Sequence, residues 1–283
     1  MADVSPLWPA TLHHFRLNAA APAALIDFYR QGLGMTAVPI GDKLWHLAGP
    51  ERRLLIGKGE PETVSYTAFA IDDADRLTRL ERHVSDHGIA IEENPSPLFG
   101  NAAFSIRDPD GQRLVFGVPP EGLDAEAPRQ GLAGRTQHIV FATSRLPEIR
   151  AFYRDHLGFL LSDEVVADDG VATAAFFRSD REHHSYAAFR AGTQRYDHHA
   201  MEAGSWNDLR DWADHFAKMR VPIWWGPGRH GPGNNLFIMV RDPEGNRIEL
   251  SAELELMEPE ATHRAWPHED YTLNLWGSAW MRS

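Results

Sequence analysis

The feature that most constrains the fold of this chain is an internal repeat. Residues 12–17 resemble residues 136–141, and Phe28-Tyr29-Arg30 returns as Phe152-Tyr153-Arg154, both displaced by 124 residues. Residues 107–115 return as 241–249, displaced by 134 residues. Self-similarity at a fixed period is the mark of a duplicated unit. The sequence therefore predicts two similar modules in tandem, the second about ten residues longer.

Each copy has the same pattern of predicted elements. A short alternating strand precedes an amphipathic helix that ends at a Leu-Gly step, and several strands with a second helix follow. In the second copy these helices are predicted at 147–156 and 206–219, and an Asp-Pro-x-Gly run predicts a tight turn between two strands. We predict an α+β fold of two tandem βαβββ modules.

The same pattern suggests domain boundaries. We predict an N-terminal module without a metal site at 1–120, a linker at 121–134, a C-terminal catalytic module at 135–254 and an extension at 255–283. The linker is rich in Pro, Gly, Ala and charge. We expect four aromatic residues to pack the extension onto the body of the protein. They are Trp266, Tyr271, Trp276 and Trp280.

Composition excludes several classes of function. A net charge of -12 without a Lys/Arg-rich run argues against nucleic-acid binding. No apolar stretch approaches the length of a membrane span, and no signal-peptide pattern opens the chain, so we expect a cytoplasmic protein without a membrane partner. The chain has no cysteine, so any metal must be held by imidazole, carboxylate or water. The 15 histidines are therefore the first residues to consider.

Three residues of the second copy are candidate metal ligands. His138 lies in its first strand, His199 lies in a later strand within a His198-His199 doublet, and Glu249 lies on the strand after the Asp-Pro turn. Two histidines and one carboxylate form the ligand set of non-haem Fe(II) oxygen chemistry. In the first copy His14 matches His138, but Val115 stands in place of Glu249 and Tyr66 or Thr67 in place of the second histidine. A single histidine cannot hold a metal, so the asymmetry places the site in the second copy.

Further residues could complete a site around these ligands. His184 precedes His199 by 15 residues, a spacing that suits adjacent strands, and His230 lies in a Gly/Pro-rich loop. Each could equally be a structural or exposed histidine. Five residues could form the wall of a substrate pocket, although ordinary core packing explains apolar residues better. They are Val140, Phe176, Phe189, Trp225 and Met239.

These motifs resemble the vicinal oxygen chelate superfamily, and within it the two-domain type I extradiol ring-cleaving dioxygenases. The resemblance covers nearly the whole chain. It is most specific in the Gly-x-His, Asn-Asn-x-Phe and Asp-Pro-x-Gly-x-x-x-Glu motifs of residues 228–249, in His184-Ser185-Tyr186-Ala187 and in the His198-His199 doublet. Asn274-Leu275-Trp276-Gly277 extends it into the tail.

The resemblance implies a function and a role for each candidate. It implies that His138, His199 and Glu249 bind Fe(II), less often Mn(II), and it is the reason for choosing His199 over His198. His184 would be the acid-base residue and His230 a hydrogen-bond partner of the bound diol. The substrates would be O₂ and a small catechol-type aromatic diol, and a hydrophobic diol is expected because no Arg is placed to bind a carboxylate.

Met239 departs from the family pattern, since a Tyr usually stands ten residues before the carboxylate ligand. This departure leaves open a different metal-dependent isomerase, hydrolase or transferase of the same superfamily. A non-catalytic protein that binds an aromatic ligand is a further alternative, although it would not need three metal ligands. We expect a homo-oligomer, as for many soluble enzymes.

Overall fold

The computed structural model describes residues 5–123 and 131–280, which form two β-sheets with helices packed on them. The first module contains β1 (Thr11–Ala19), α1 (Pro22–Gly32), β2 (Thr36–Gly41), β3 (Leu44–Gly49), β4 (Arg52–Lys58), β5 (Val64–Ala70), α2 (Ala74–Asp86), β6 (Glu92–Glu93), β7 (Phe104–Arg107) and β8 (Arg113–Gly117). The second contains β9 (Arg135–Thr143), α3 (Leu146–Ala151), β10 (Leu160–Val166), β11 (Ala172–Arg178), β12 (Tyr186–Arg190), β13 (Arg195–Glu202), α4 (Trp206–Lys218), β14 (Trp225–Arg229), β15 (Leu236–Arg241) and β16 (Arg247–Ala252). The extension adds β17 (Arg264–Pro267) and α5 (Asp270–Leu273).

The sheet topology confirms the predicted α+β fold of tandem modules. The strand orders are β2-β3-β4-β1-β5-β8-β7-β6 in the first sheet and β14-β15-β16-β13-β9-β12-β11-β10-β17 in the second. Each module consists of two successive βαβββ runs, and the first strands of the two runs pair antiparallel at its centre, β1 with β5 and β9 with β13. A parallel strand flanks each of them, which places β16 next to β13. The centre of the second sheet therefore brings three separate stretches of chain side by side.

The two predicted helices of the second module are both present. Ser205 caps α4 by accepting a hydrogen bond from the Asp208 backbone amide, and Leu209, Trp212 and Phe216 form its buried face. The other helix begins as α3 and continues as a π-helical turn at Phe152–Leu157. It ends at Gly158, whose φ of 84° is the left-handed conformation that favours glycine at a helix end.

Reciprocal tyrosine and aspartate contacts join the two modules. The Tyr29 hydroxyl lies 3.5 Å from Asp242 Oδ2, and the Tyr153 hydroxyl lies 3.2 Å from Asp108 Oδ2. Each tyrosine comes from a repeated helix and each aspartate from the repeated turn of the other module. The other oxygen of each aspartate accepts two backbone amide hydrogen bonds within its own turn. The same repeated positions therefore form the interface twice, once in each direction.

In the first module, side chains of the module itself fill the space around His14. The Nε2 atom of His14 lies 2.7 Å from the Ser96 hydroxyl, and Phe99 packs against the His14 ring at a centroid distance of 5.0 Å. Leu98 and Phe99 belong to a buried apolar cluster with Tyr66 and Val115. The space around His14 is thus occupied by ordinary core packing.

The C-terminal extension returns to the second sheet, where β17 pairs parallel with β10. Trp266 packs on an apolar cluster of that sheet, and Trp280 contacts the Trp224 ring at 4.6 Å. Trp276 is 52% exposed and contacts the Trp206 ring of α4 at 5.7 Å, whereas Tyr271 is 63% exposed, so the expectation that all four aromatic residues are packed is wrong for Tyr271.

Part of the predicted linker, residues 124–130, lies outside the described residues. In the parts of the chain that the structure does describe, every helix is too short or too polar to cross a lipid bilayer.

The buried turn aspartates predict a pH-dependent stability. Burial raises the pKa of Asp108 to about 7, above the value of about 4 expected for an unfolded chain. The folded state then holds a proton that the unfolded state has lost, so the stability contributed by Asp108 falls as the pH rises from about 4 to about 7. As the pH rises from 4.5 to 7.5, the free energy of unfolding of Asp108→Asn should increase by roughly 1 to 3 kcal/mol relative to that of the wild type. Equilibrium urea denaturation measures this difference at each pH. The exposed Asp86→Asn is the matched control, and equal pH profiles for Asp108→Asn and the wild type would contradict the prediction.

Candidate metal centre

The central strands of the second sheet bring three potential ligands together. Ala200 on β13 lies opposite His138 on β9 and opposite Glu249 on β16. Because side chains alternate along a strand, His198 points to the same face as these two residues. One ligand atom from each of His138, His198 and Glu249 lies within 4.8 Å of the others, and all three side chains are buried.

His199 does not belong to this cluster, and the prediction that it stands beside His138 and Glu249 is corrected. It lies opposite Ile139 and Ile248, on the face of the sheet that packs against the first module. Its ring lies 4.6 Å from that of Phe15, and its Nδ1 atom lies 2.6 Å from the Tyr196 hydroxyl. Burial lowers its pKa to about 3. His199 is therefore a neutral residue of the core between the modules.

A β-bulge explains how the chain orients His198. Between Tyr196 and His198, β13 advances two residues while β9 advances one, so Asp197 is the extra residue. Its Oδ1 atom lies 2.6 Å from His198 Nδ1, and His198 Nε2 then lies 3.3 Å from Glu249 Oε2. A carboxylate on the far nitrogen of a histidine is the usual partner of a metal-ligating imidazole. The Asp197-His198 dipeptide was a signal for His198 that the sequence analysis did not use.

The carboxylate of Glu249 is also held in place from behind. Asn235 on the β14–β15 connection donates one hydrogen bond of 3.0 Å to Glu249 Oε1 and another of 2.9 Å to the Ser251 hydroxyl. These bonds leave Oε2 directed toward His138 and His198, at 3.7 and 3.3 Å from their Nε2 atoms. The orienting role of Asn235 was missed by the sequence analysis.

The electrostatics of the cluster favour a cation. Burial pushes the pKa of Glu249 upward, but hydrogen bonds with His138 and His198 and charge interactions with His138 and His230 hold it well below its usual value. Burial lowers the pKa of His138, so that its imidazole is neutral. The ion-pair partners that the structure gives Glu249 are histidines, namely His138, His198 and His230. A buried carboxylate among imidazoles, with no thiolate in the chain, fits a divalent transition metal of the two-histidine, one-carboxylate type.

His184 and His230 lie beside the cluster as predicted from their spacing. The His184 ring lies 4.2 Å from that of His138. His230 Nε2 lies 3.9 Å from Glu249 Oε1, and its ring stacks on Phe237 at 4.0 Å. Both histidines line the same small cavity of about 30 Å³ as the three candidate ligands.

The predicted substrate wall is only partly present in this cavity. Val140, Phe176 and Phe189 line it, together with Pro232 and Leu273, which the sequence analysis did not select. Trp225 stands behind His230, against Phe237 at 4.5 Å. The remaining candidate, Met239, lies fully buried on β15 opposite Glu249.

A larger cavity of about 450 Å³ adjoins the small one, since both are lined by Phe189 and Leu273. Its wall is partly apolar and partly polar. The other lining residues are Ser144, Val165, Thr173, Ala174, Arg190, Ala191, Gly192 and His268.

Comparisons with known proteins agree with this architecture. Residues 11–116 and 135–250 each match the Glyoxalase/Bleomycin resistance protein/Dioxygenase superfamily. The chain is 27% identical to Metapyrocatechase 2 of Cupriavidus necator over 78% of its own length and 74% of that protein. It is 27% identical to an iron-dependent extradiol dioxygenase of Rhodococcus jostii, over 80% of this chain and 81% of that one.

Solved structures have the same fold. Homoprotocatechuate 2,3-dioxygenase from Arthrobacter globiformis superposes with a TM-score of 0.82 at 22% sequence identity, covering 98% of this chain and 90% of that one. The resemblance to the vicinal oxygen chelate superfamily and its extradiol dioxygenases, first seen in the repeated motifs, is therefore confirmed. With matches that span both modules, the chain belongs to the Glyoxalase/Bleomycin resistance protein/Dioxygenase superfamily.

Proposed function

We propose that this protein is an extradiol dioxygenase that cleaves the ring of a catechol-type aromatic diol, using Fe(II) held by His138, His198 and Glu249. The observation that carries the proposal is the convergence of these three donors with His184 and His230 in one buried cavity. The relatives named above, which include an iron-dependent extradiol dioxygenase, support the same reaction. Both atoms of O₂ enter the ring-opened product.

The ligand arrangement suits a reaction with two substrates. All three donors come from adjacent strands of one sheet, so they would occupy one side of a metal and leave the other side open. When bound, Fe(II) would supply the positive charge that favours a deprotonated diol and a route for electrons from the diol to O₂. Asp197 and Asn235 would keep the donors of His198 and Glu249 directed at that position.

Two further histidines are placed to handle protons. Burial and the neighbouring His138 and His183 lower the pKa of His184 well below its usual value, so its ring is neutral and can accept a proton from a diol hydroxyl. His230 is oriented by its Nδ1 atom, which lies 2.5 Å from the Leu273 carbonyl oxygen. This leaves Nε2 of His230 on the side of Glu249, where it could hydrogen-bond an oxygen of the diol.

The cavities favour an apolar diol that carries a ring substituent. Val140, Phe176 and Phe189 give the small cavity an apolar wall, which suits an aromatic ring. Its volume of about 30 Å³ holds little more than a water molecule, so a bound diol would extend toward the cavity of about 450 Å³ that shares Phe189 and Leu273 with it. A substituent could extend into that second cavity past Phe189 and Leu273.

The position and chemistry of Met239 favour a second candidate function. It lies opposite Glu249, and its thioether cannot supply the hydroxyl that a Tyr would place there. A different metal-dependent reaction at the same three ligands would not need this hydroxyl. Metal binding without ring cleavage of any diol would favour this alternative.

The choice between the adjacent histidines gives a direct test of the metal site. We expect His198→Ala to lose at least nine tenths of its bound Fe(II), because it removes a donor atom. His199→Ala should retain the metal and lose roughly 1 to 3 kcal/mol of unfolding free energy, because it removes a buried hydrogen bond and packing. Metal content after anaerobic loading and urea denaturation measure the two effects. Loss of metal in His199→Ala with retention in His198→Ala would contradict the assignment.

Activity is tested on the same pair of variants. The Fe(II)-loaded wild type should convert 2,3-dihydroxybiphenyl or a simple catechol into a yellow ring-opened product, with one O₂ consumed for each diol. His198→Ala and Glu249→Ala should have no detectable activity, and the folded fraction of His199→Ala should remain active. Absorbance and an oxygen electrode follow the reaction. A protein that retains iron and cleaves no diol would refute the proposed reaction.

The role of the larger cavity is tested at Gly192, which lines it. A Cβ built at this glycine meets no atom within 4 Å, so a side chain can be added there without a clash. Gly192→Leu should lower kcat/KM for 2,3-dihydroxybiphenyl at least fivefold and leave kcat/KM for unsubstituted catechol within about twofold. Equal effects on both diols would mean that the substituent does not enter this cavity. The matched control is Gly41→Leu in the first module, where a Cβ built on the glycine also meets no atom within 4 Å.

A further inference from the structure

Behind His184 lies a second, fully buried histidine. The Nδ1 atoms of His183 and His184 are 2.9 Å apart, and neither side chain is more than 4% exposed. At this distance one nitrogen must carry a proton and the other must not, since two donors or two acceptors would repel. The far nitrogen of His183, Nε2, lies 2.9 Å from Asp163 Oδ2. The protonation of His184 is thus linked to Asp163 through His183.

Asp163 is held as an ionised acceptor. Arg264 contacts its two oxygens at 2.8 and 3.0 Å, and the Trp266 indole nitrogen donates to Oδ2 at 2.8 Å. Although burial raises the pKa of Asp163, hydrogen bonds with His183 and Arg264 hold it below its usual value. Arg264 and Trp266 both lie on β17, which pairs with the strand that carries Asp163. The C-terminal extension therefore supplies two of the donors that fix this carboxylate.

The charges around Asp163 balance without a charged histidine. Arg264 also pairs with Glu255, and the buried guanidinium of Arg178 interacts with Asp163. Two carboxylates thus face two guanidinium groups. An additional imidazolium at His183, fully buried, would bring an uncompensated charge into the interior. A single proton on Nε2 of His183, facing Asp163 Oδ2, avoids that charge.

We propose that Asp163 and His183 are positioning residues that fix the tautomer of His184. With its proton on Nε2, His183 has an unprotonated Nδ1, which accepts the hydrogen bond from Nδ1–H of His184. The unprotonated nitrogen of His184 is then Nε2, the ring nitrogen left for the cavity. This inference rests on the proposed function, because an unprotonated Nε2 is what a proton acceptor for the diol requires.

The tautomer can be measured directly in the wild type. Full-length protein labelled with ¹⁵N-histidine is prepared without iron, which would broaden the signals, and long-range ¹H–¹⁵N correlation spectra identify the protonated nitrogen of each ring. We expect His183 as the Nε2–H form and His184 as the Nδ1–H form. Assignment of His184 as the Nε2–H form, or of His183 as an imidazolium, would overturn the inference.

A variant pair separates Asp163 from general loss of structure. Asp163→Asn removes the acceptor-only partner of His183, so both rings should become tautomer mixtures, and kcat of the Fe(II)-loaded enzyme should fall at least tenfold with metal content and KM nearly unchanged. Glu255→Gln, which alters the other carboxylate on Arg264, should keep the wild-type tautomers and kcat. The His13-His14 pair, with Nδ1 atoms 2.7 Å apart in the other module, serves as an internal reference that should not change.

The outcomes distinguish this inference from the proposed function. If the wild type cleaves no diol, the proposed function fails and the tautomer assignment still stands or falls by the spectra. If the wild type cleaves diols while Asp163→Asn keeps both the wild-type tautomers and kcat, only the positioning role is refuted. Since the wild-type spectra need no substitution, a variant that fails to fold does not prevent the test.

Discussion

The site depends on the antiparallel pairing of β9 with β13. Ala200 lies opposite His138 in this register and opposite Glu249 on the other side, so the small residue at the centre defines the face on which ligands can meet. A shift of one residue would direct His198 into the module interface and His199 into the cavity. The bulge at Asp197 adds a carboxylate behind His198 while Tyr196 stays on the core face. Strand register thus determines which side chains form the cluster.

The modules hold this register from outside through the same repeated positions. Tyr29 and Tyr153 each contact the turn aspartate of the opposite module, and His199 fills the space between the modules against Phe15. The two histidines of the doublet on β13 therefore lie on opposite faces of the sheet, with His198 in the cluster and His199 in the interface between the modules. The buried interface and the cluster share one strand, so packing on one face fixes the geometry on the other.

The sequence predicted the duplicated fold and the helices of the second module, because a repeat and hydrophobic periodicity can be recognised in the sequence itself. It selected His138, Glu249, His184 and His230 correctly as neighbours of one cavity. It chose His199 over His198, and this choice was wrong because the faces of the two residues depend on a register and a bulge set by another strand. Trp225 and Met239 do not line the small cavity, and Leu273, which does, was missed because α5 returns from a distant part of the chain.

The two modules differ most at the positions that correspond to the candidate metal ligands. At the positions of His138, His198 and Glu249 in the second module, register places His14, Tyr66 and Val115 in the first, and Phe99 occupies the space between them. The first module thus has apolar packing where the second has the cluster of polar side chains. Its interface with the second module is constrained, because Asp108 and Tyr29 each form a buried contact with a residue of that module. The two copies thus differ inside and share matching contacts at their junction, through which the first module packs against the sheet that carries the candidate metal ligands.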